Sequence, residues 1–164
     1  MSILEIRIYP DPILKNVAQA VSLFDLELKT LVESMFETMY AARGIGLAAP
    51  QIGVSKRIVV IDISEDGDER HVFINPKILK AEGQVSGEEG CLSIPDFRER
   101  VARYERVQVQ AQDVNGNSFT LDTEGLLAIC LQHEIDHLDG ILFVDRLSRL
   151  KREIFKRWLK KQTA

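Results

Sequence analysis

The hydrophobic patterning of the chain predicts an α+β fold, with antiparallel sheets packed around a central helix, one helix before them and an amphipathic helix after. Three observations carry that prediction. Apolar residues recur at helical spacing near residue 30, and again in two segments beyond residue 123. Between them lie β-branched or strictly alternating runs, which read as strands. The order of helix, several strands, then two helices suits antiparallel pairing and not a parallel, doubly wound sheet. At 164 residues the chain fits one domain with a core of its own.

The elements follow in order. "YPDPIL" is turn-rich, because Pro10 and Pro12 restrict the backbone before a long helix can start. From Asp25, "DLELKTLVESMFETMYAA" sets Leu28, Leu31, Val32, Met35, Phe36 and Met39 on one helical face, and Gly44 and Gly46 end it. "RIVVIDIS" reads as a buried strand, followed by the turn "EDGDE" and a second strand, "RHVFIN". "RVQVQAQD" meets "SFTLD" across "VNGN", where Asn115-Gly116 predicts a type I′ hairpin. A helix is expected from about Thr123 to Asp139, with Gly140 at the left-handed stop. Finally, "LSRLKREIFKRWLKK" places Leu147, Leu150, Ile154 and Trp158 on one face of a C-terminal helix. No repeat, low-complexity tract or flexible linker divides the chain. Residues 1–164 are therefore expected to form a single catalytic domain, with 148–164 as its basic C-terminal helix.

Composition excludes several classes. Apolar residues make up 45% and charged residues 28%, the balance of a soluble globular protein. No window reaches the roughly 18 consecutive apolar residues of a membrane span. Glu5 and Arg7 interrupt "MSILEIRIYP" where an export signal would be unbroken, so a cytoplasmic, reduced setting is expected. Two cysteines, Cys91 and Cys130, are too few for a disulfide scaffold, which leaves either thiol available for chemistry. From Arg146 onward eight basic residues face Glu153 alone, so a basic tail follows an acidic body.

The chemistry begins at "QHEIDHLDG" (132–140). On a helix, His133 and His137 lie on one face, close enough to grip one cation. Glu134, about 100° round the helix, can reach a metal-bound water without being a ligand. Two ligands and a proton-shuttling carboxylate are the parts of an HExxH hydrolase. A third ligand is needed. No histidine follows His137, and Glu153 sits on the basic tail. Cys91, in the Gly-flanked "GEEGCLSIPD", supplies a soft, strong ligand and completes a Cys-His-His set. At about 100° per residue, Leu126, Ile129 and Cys130 project within about 60° of His133. They are read as an apolar pocket beside the metal, with Cys130 as a small wall residue. "GIGLAAPQ" is not a phosphate loop, because a strand and not a helix follows it. Gly44 and Gly46 instead permit close approach of a peptide backbone, which could add to a sheet edge.

Together, "GIGLAAPQ" (44–51), "EGCLS" (89–93) and "QHEIDHLDG" (132–140) resemble the three signature motifs of the peptide deformylases, in matching order and spacing. The resemblance spans nearly the whole chain, with no departure at a motif position. It implies removal of the N-formyl group from the initiator methionine of nascent polypeptides, releasing formate. Cys91, His133 and His137 match that family's metal ligands, and Glu134 its general acid/base, which assists attack of metal-bound hydroxide on the formyl carbon. Gln51 and the backbone N–H of Leu92 match groups that face the formyl oxygen. Ile45 and Gly46 match positions that hold the substrate backbone, and Glu89 and Arg98 match residues near the cleft. Leu126, Ile129 and Cys130 would then receive the methionine side chain. The resemblance implies one Fe(II) per chain, which Zn, Ni or Co can replace, and a monomer without membrane contact. A co-translational substrate makes ribosomal RNA a candidate partner of the basic C-terminal helix. Two other readings stand beside this one: an HExxH zinc peptidase in which Cys91 is dispensable, and a non-catalytic structural metal domain closed by a fourth ligand. His71 is the one spare histidine for such a closed site.

Overall fold

A computed structural model describes residues 2–163 and shows why the chain forms these elements. Helix α1 (Leu26–Ala41) starts where the Asp25 side chain accepts the Leu28 amide at 3.0 Å. It ends at Ala41, before the left-handed Arg43 (φ 59). A five-stranded antiparallel sheet follows, formed by β1 (Gly46–Ala48), β2 (Ile58–Ile61), β3 (His71–Glu82), β6 (Arg106–Gln112) and β7 (Ser118–Glu124), in the spatial order β1-β2-β3-β6-β7. Helix α2 (Gly125–Leu138) carries the HExxH stretch. The sheet lies between α1 and α2. Ile58 and Val60 pack with Met35, Phe36 and Met39 of α1, while Val59 and Ile61 pack with Leu131, Ile135 and Leu138 of α2. Burial on both faces explains why β2 is an unbroken apolar run.

The hairpin of β4 (Val85–Cys91) and β5 (Ile94–Arg103) forms a separate two-stranded sheet. Its apolar residues, Ile94, Phe97 and Val101, close a third core cluster with Leu142, Phe143, Leu147 and Phe155. The N-terminal segment straps the units together. Arg7 N donates to Gln51 O at 2.6 Å, and Tyr9 N donates to Ser93 O at 2.8 Å.

Several sequence expectations change. The chain after Asn75 does not leave the sheet: β3 continues to Glu82 across register shifts that accommodate Pro76. Asn75 takes φ 52 there, and its side chain bonds both backbone groups of Val21 and the Gln112 side chain. The hairpin after β6 is not type I′, because only Gly116 (φ 85), and not Asn115, is left-handed. Asp113 Oδ1 accepts the amides of Asn115 and Asn117 instead and sets a three-residue loop. Helix α2 begins at Gly125 and not Thr123, because the β7 ladder pairs as far as Glu124. Gly140 is left-handed as expected (φ 74).

The C-terminal helix α3 (Arg149–Thr163) presents a different face inward from the one its spacing suggested. Leu150 and Ile154 are exposed, whereas Phe155 is buried and Trp158 packs beside it. Aromatic contacts decide that register: Phe155 meets Tyr9, Phe97 and Trp158 with ring centroids 5.5, 4.9 and 6.0 Å apart. No helix is long and apolar enough to cross a membrane among the described residues.

Candidate metal centre

Three elements of different origin meet at the site. Helix α2 offers His133 and His137 one turn apart, with ring centroids 5.1 Å apart. The β4–β5 hairpin offers Cys91 at the end of β4, where Cys91 pairs with Ile94 across the tight turn. The 3-10 turn Ala49–Ile52, just after β1, offers Gln51. Ligand atoms of Cys91, His133 and His137 lie within 4.8 Å of one another, and among the described residues they are the one such group of three. Cys91 Sγ stands 3.4 Å from His137 Nε2. His133 Nδ1 lies 3.0 Å from Glu89 Oε1, which leaves its Nε2 on the side of Glu134, 4.0 Å from Oε2.

These residues fit a divalent metal by two observations. The donors are one sulfur and two imidazoles, a set suited to zinc or ferrous iron. Burial pushes the His137 pKa well down, whereas at His133 the Glu134 carboxylate, Cys91 and Glu89 outweigh burial and push it well up in the metal-free protein, so a bound cation would take the place of the His133 proton. Glu134 Oε1 and His137 Nδ1 are buried without a hydrogen-bond partner among the described residues, and an orphaned carboxylate oxygen in such a place wants a proton or a donor from a ligand. Burial pushes Glu134 up to about 7, reinforced by Glu89 and opposed by His133.

Gln51 is fully locked. Its Oε1 accepts the Ala48 amide at 2.9 Å, so Nε2 must point the other way. There it donates to Ser93 Oγ at 3.2 Å and reaches Cys91 Sγ at 3.5 Å. Gly46 is required by proximity: a Cβ there would lie 2.6 Å from Glu134 Oε2 and 2.7 Å from Cys130 Sγ.

A cavity of about 660 Å³ opens over these groups, lined by Gly46, Gln51, Cys91, Leu92, His133 and Glu134, among others. The other residues that the resemblance placed in the site, His137 excepted, also line it: Ile45, Glu89, Arg98, Leu126, Ile129 and Cys130. Leu126 and Ile45 are exposed at its mouth, while Cys130 is buried, and burial first and Glu134 second keep its thiol neutral. Arg98 is on the exposed rim, paired with Glu88 at 2.7 Å. His71 is not part of the metal group and stacks on Phe73 in β3. Sequence reasoning missed Ser93, Arg103, Phe143 and Arg146. Asp136 stood inside the recognised stretch, where a second acid besides Glu134 between the two histidines was the one available signal.

A Cys-His-His donor set, a buried carboxylate beside it and an open cleft define the centre of a metal-dependent hydrolase on an α+β scaffold. The relatives narrow the class. The sequence model of the polypeptide deformylase family matches residues 3–153, and the chain belongs to that family. The chain is 53% identical over 162 residues to the peptide deformylase of Chromobacterium violaceum, covering 99% of this chain and 97% of that one. It is 56% identical over 155 residues to that of Acidobacterium capsulatum, covering 93% and 91%. The crystal structure of a peptide deformylase from Legionella pneumophila superposes with a TM-score of 0.93 at 52% identity, covering 99% of this chain and 96% of that one. The activity of the family is removal of the N-formyl group from nascent polypeptides.

Proposed function

We propose that residues 1–164 act as one deformylase domain in which Cys91, His133 and His137 hold a single Fe(II) ion, with Zn, Ni or Co able to take its place. The observation that carries this reading is the convergence of three donor atoms within 4.8 Å beside an unpartnered buried Glu134 oxygen. When bound, the metal supplies Lewis-acid activation of water near neutral pH.

The chain's own residues do the rest. The apolar wall of Leu126, Ile129 and Cys130 takes the methionine side chain, and the backbone of Ile45 and Gly46 aligns the peptide at the β1 edge of the sheet. The Gln51 amide, held donor-inward by Ala48, and the N–H of Leu92 face the formyl oxygen and stabilise the negative charge that develops as water adds to the carbon. Glu134 takes the proton of that water and returns it to the leaving nitrogen as the C–N bond breaks, giving formate and a free amine. Burial holds this carboxyl at about 7 in the metal-free protein, and a cation beside it would lower that value toward the deprotonated base that takes up the water's proton. Glu89 orients His133, and Arg98 borders the outgoing peptide.

Formate release from a formyl-Met peptide by anaerobically iron-loaded protein, beside Glu134→Ala at equal metal content, tests the reading. Turnover in the wild type and a loss of about 10²–10⁴-fold in the variant is the expected outcome. No formate from metal-replete wild type would defeat it.

The protein is further proposed to act as a monomer in the cytoplasm and to meet its substrate at the ribosome, with ribosomal RNA contacted by the outer face of α3. Arg152, Lys156 and Arg157 are exposed on that face. Reversing these three charges should abolish co-sedimentation with ribosomes at low salt; unchanged binding would rule out this contact.

A further inference from the structure

Behind the two histidines runs a series of charges of which the chemistry above uses only Glu89. Arg146 ends the 3-10 turn Phe143–Arg146. It donates Nη2 to Asp136 Oδ1 at 2.7 Å and Nε to Oδ2 at 2.5 Å, a two-pronged grip. Arg103 donates Nη1 to the same Oδ2 at 2.6 Å. Its Nε and Nη2 then fork onto both oxygens of Glu89, at 2.9 and 2.8 Å. Glu89 Oε1 in turn meets His133 Nδ1. The signs alternate from Arg146 to Glu89, so each carboxylate has a guanidinium on its outer side. Phe143, the first residue of the same turn, stacks on the His133 ring with centroids 6.0 Å apart and planes at 25°. One four-residue turn therefore bears on His133 from both of its ends.

We propose that Arg146 is a positioning residue for the metal centre, acting through Asp136, Arg103 and Glu89 to fix the plane of the His133 imidazole. The proposal rests on reading Cys91, His133 and His137 as metal ligands. Arg146 does not line the catalytic cavity; it lines a smaller one with Tyr104 and Gln132 on another part of the surface. Its own side chain is 44% exposed, and as an isolated surface pair it would contribute little. The consequence of losing it lies inward, where Asp136 and Arg103 are 10% and 3% exposed. Without Arg146, one guanidinium must serve two buried carboxylates. Arg103 is then pulled toward Asp136, its fork on Glu89 loosens, and the acceptor that orients His133 is free to turn. Outer partners of metal-bound histidines commonly influence metal affinity by 10- to 100-fold.

The experiment uses Co(II) as the probe, read by its visible ligand-field and sulfur charge-transfer bands and by its dissociation constant. Arg146→Met should bind Co(II) about tenfold more weakly, with shifted ligand-field bands. Arg146→Lys keeps the charge but not the fork, and should fall between Met and wild type. If Arg146→Met does not fold, Arg146→Gln is read in its place. A variant that merely lowers the melting temperature of the metal-free protein, with wild-type affinity and bands, would overturn the role. Failure of the ligand reading looks different: wild type would then lack the charge-transfer band and match His133→Ala in affinity, and the proposal would fall with it.

Discussion

On one side of His133, Glu89 accepts hydrogen bonds from Arg103 Nε, Arg103 Nη2 and the imidazole itself. On the other side, Glu134 has an oxygen with no hydrogen-bond partner among the described residues. Both carboxylates are buried, at 8% and 4% exposure, so burial is not what separates them. Burial alone would raise both. At Glu89 the bonds from Arg103 and His133 outweigh it and hold the pKa at about 2, whereas at Glu134 burial prevails and the pKa reaches about 7. The difference teaches where the fold places its hydrogen bonds: behind the histidine, around Glu89, and not in front, on the side that the proposed reaction would use.

The sharpest way to break this comparison is to neutralise each carboxylate in turn. Glu134→Gln should leave metal content near wild type while formate release falls about 10²–10⁴-fold.

A pH titration separates the two by sign. Between pH 4.5 and about 7 the unfolded chain has given up the Glu134 proton while the folded, metal-free chain still holds it. Stability contributed by this group is therefore present below pH 4.5 and is lost as pH rises through 7, roughly 3 kcal/mol in all. Glu89 behaves oppositely: its contribution is present above pH 4.5 and is lost as pH falls toward 2. Urea denaturation of the metal-free protein from pH 3 to 8 should show both limbs. Glu134→Gln should flatten the upper limb and Glu89→Gln the lower one; identical profiles in both variants would contradict the contrast.

Glu89→Gln should also weaken metal binding by about 10–100-fold, because a neutral amide no longer balances Arg103 and grips His133 less firmly. Competition with a chelator of known affinity measures it. The smallest effect expected is at Gly46→Ala, whose added methyl collides with Glu134 Oε2 and Cys130 Sγ. It should cost about 1–2 kcal/mol of stability and about tenfold in kcat. Adding Cys130→Ala should recover more of the stability than of the rate, since it removes the sulfur but not the carboxylate.

The parts legible in the sequence were those governed by local pattern. Helix α1, the doubly buried β2, and the i, i+4 histidines on α2 follow from periodicity alone. The β4–β5 hairpin did not, because "VSGEEGC" and a strand containing Pro95 lack strand propensity and are held by cross-strand pairing and by the aromatic cluster beneath them. The inward face of α3 was misread for a related reason. Its register is chosen by Tyr9 and Phe97, which lie far away in the chain. Arg103 was invisible among the four arginines of "FRERVARYER", since nothing local marks the one that turns inward. The group proposed to hold the metal was legible because two of its members share a helix, and the third was reached through ligand chemistry and then through the motif.

The N-terminal strap and the Phe143–Arg146 turn together set a schedule. Residues 7 and 9 tie to Gln51 and Ser93, yet the ring that backs His133 lies at 143, and the Phe155 that seals the same cluster comes later still. During synthesis the strap emerges before Cys91 and His133, and Phe143 and Phe155 emerge after both. At about 5–20 residues per second, the 136 residues between Arg7 and Phe143 take roughly 7–27 s to emerge. A chain that carries the strap but has not yet reached Phe143 therefore lacks the ring that stacks on His133 and the cluster beneath the β4–β5 hairpin.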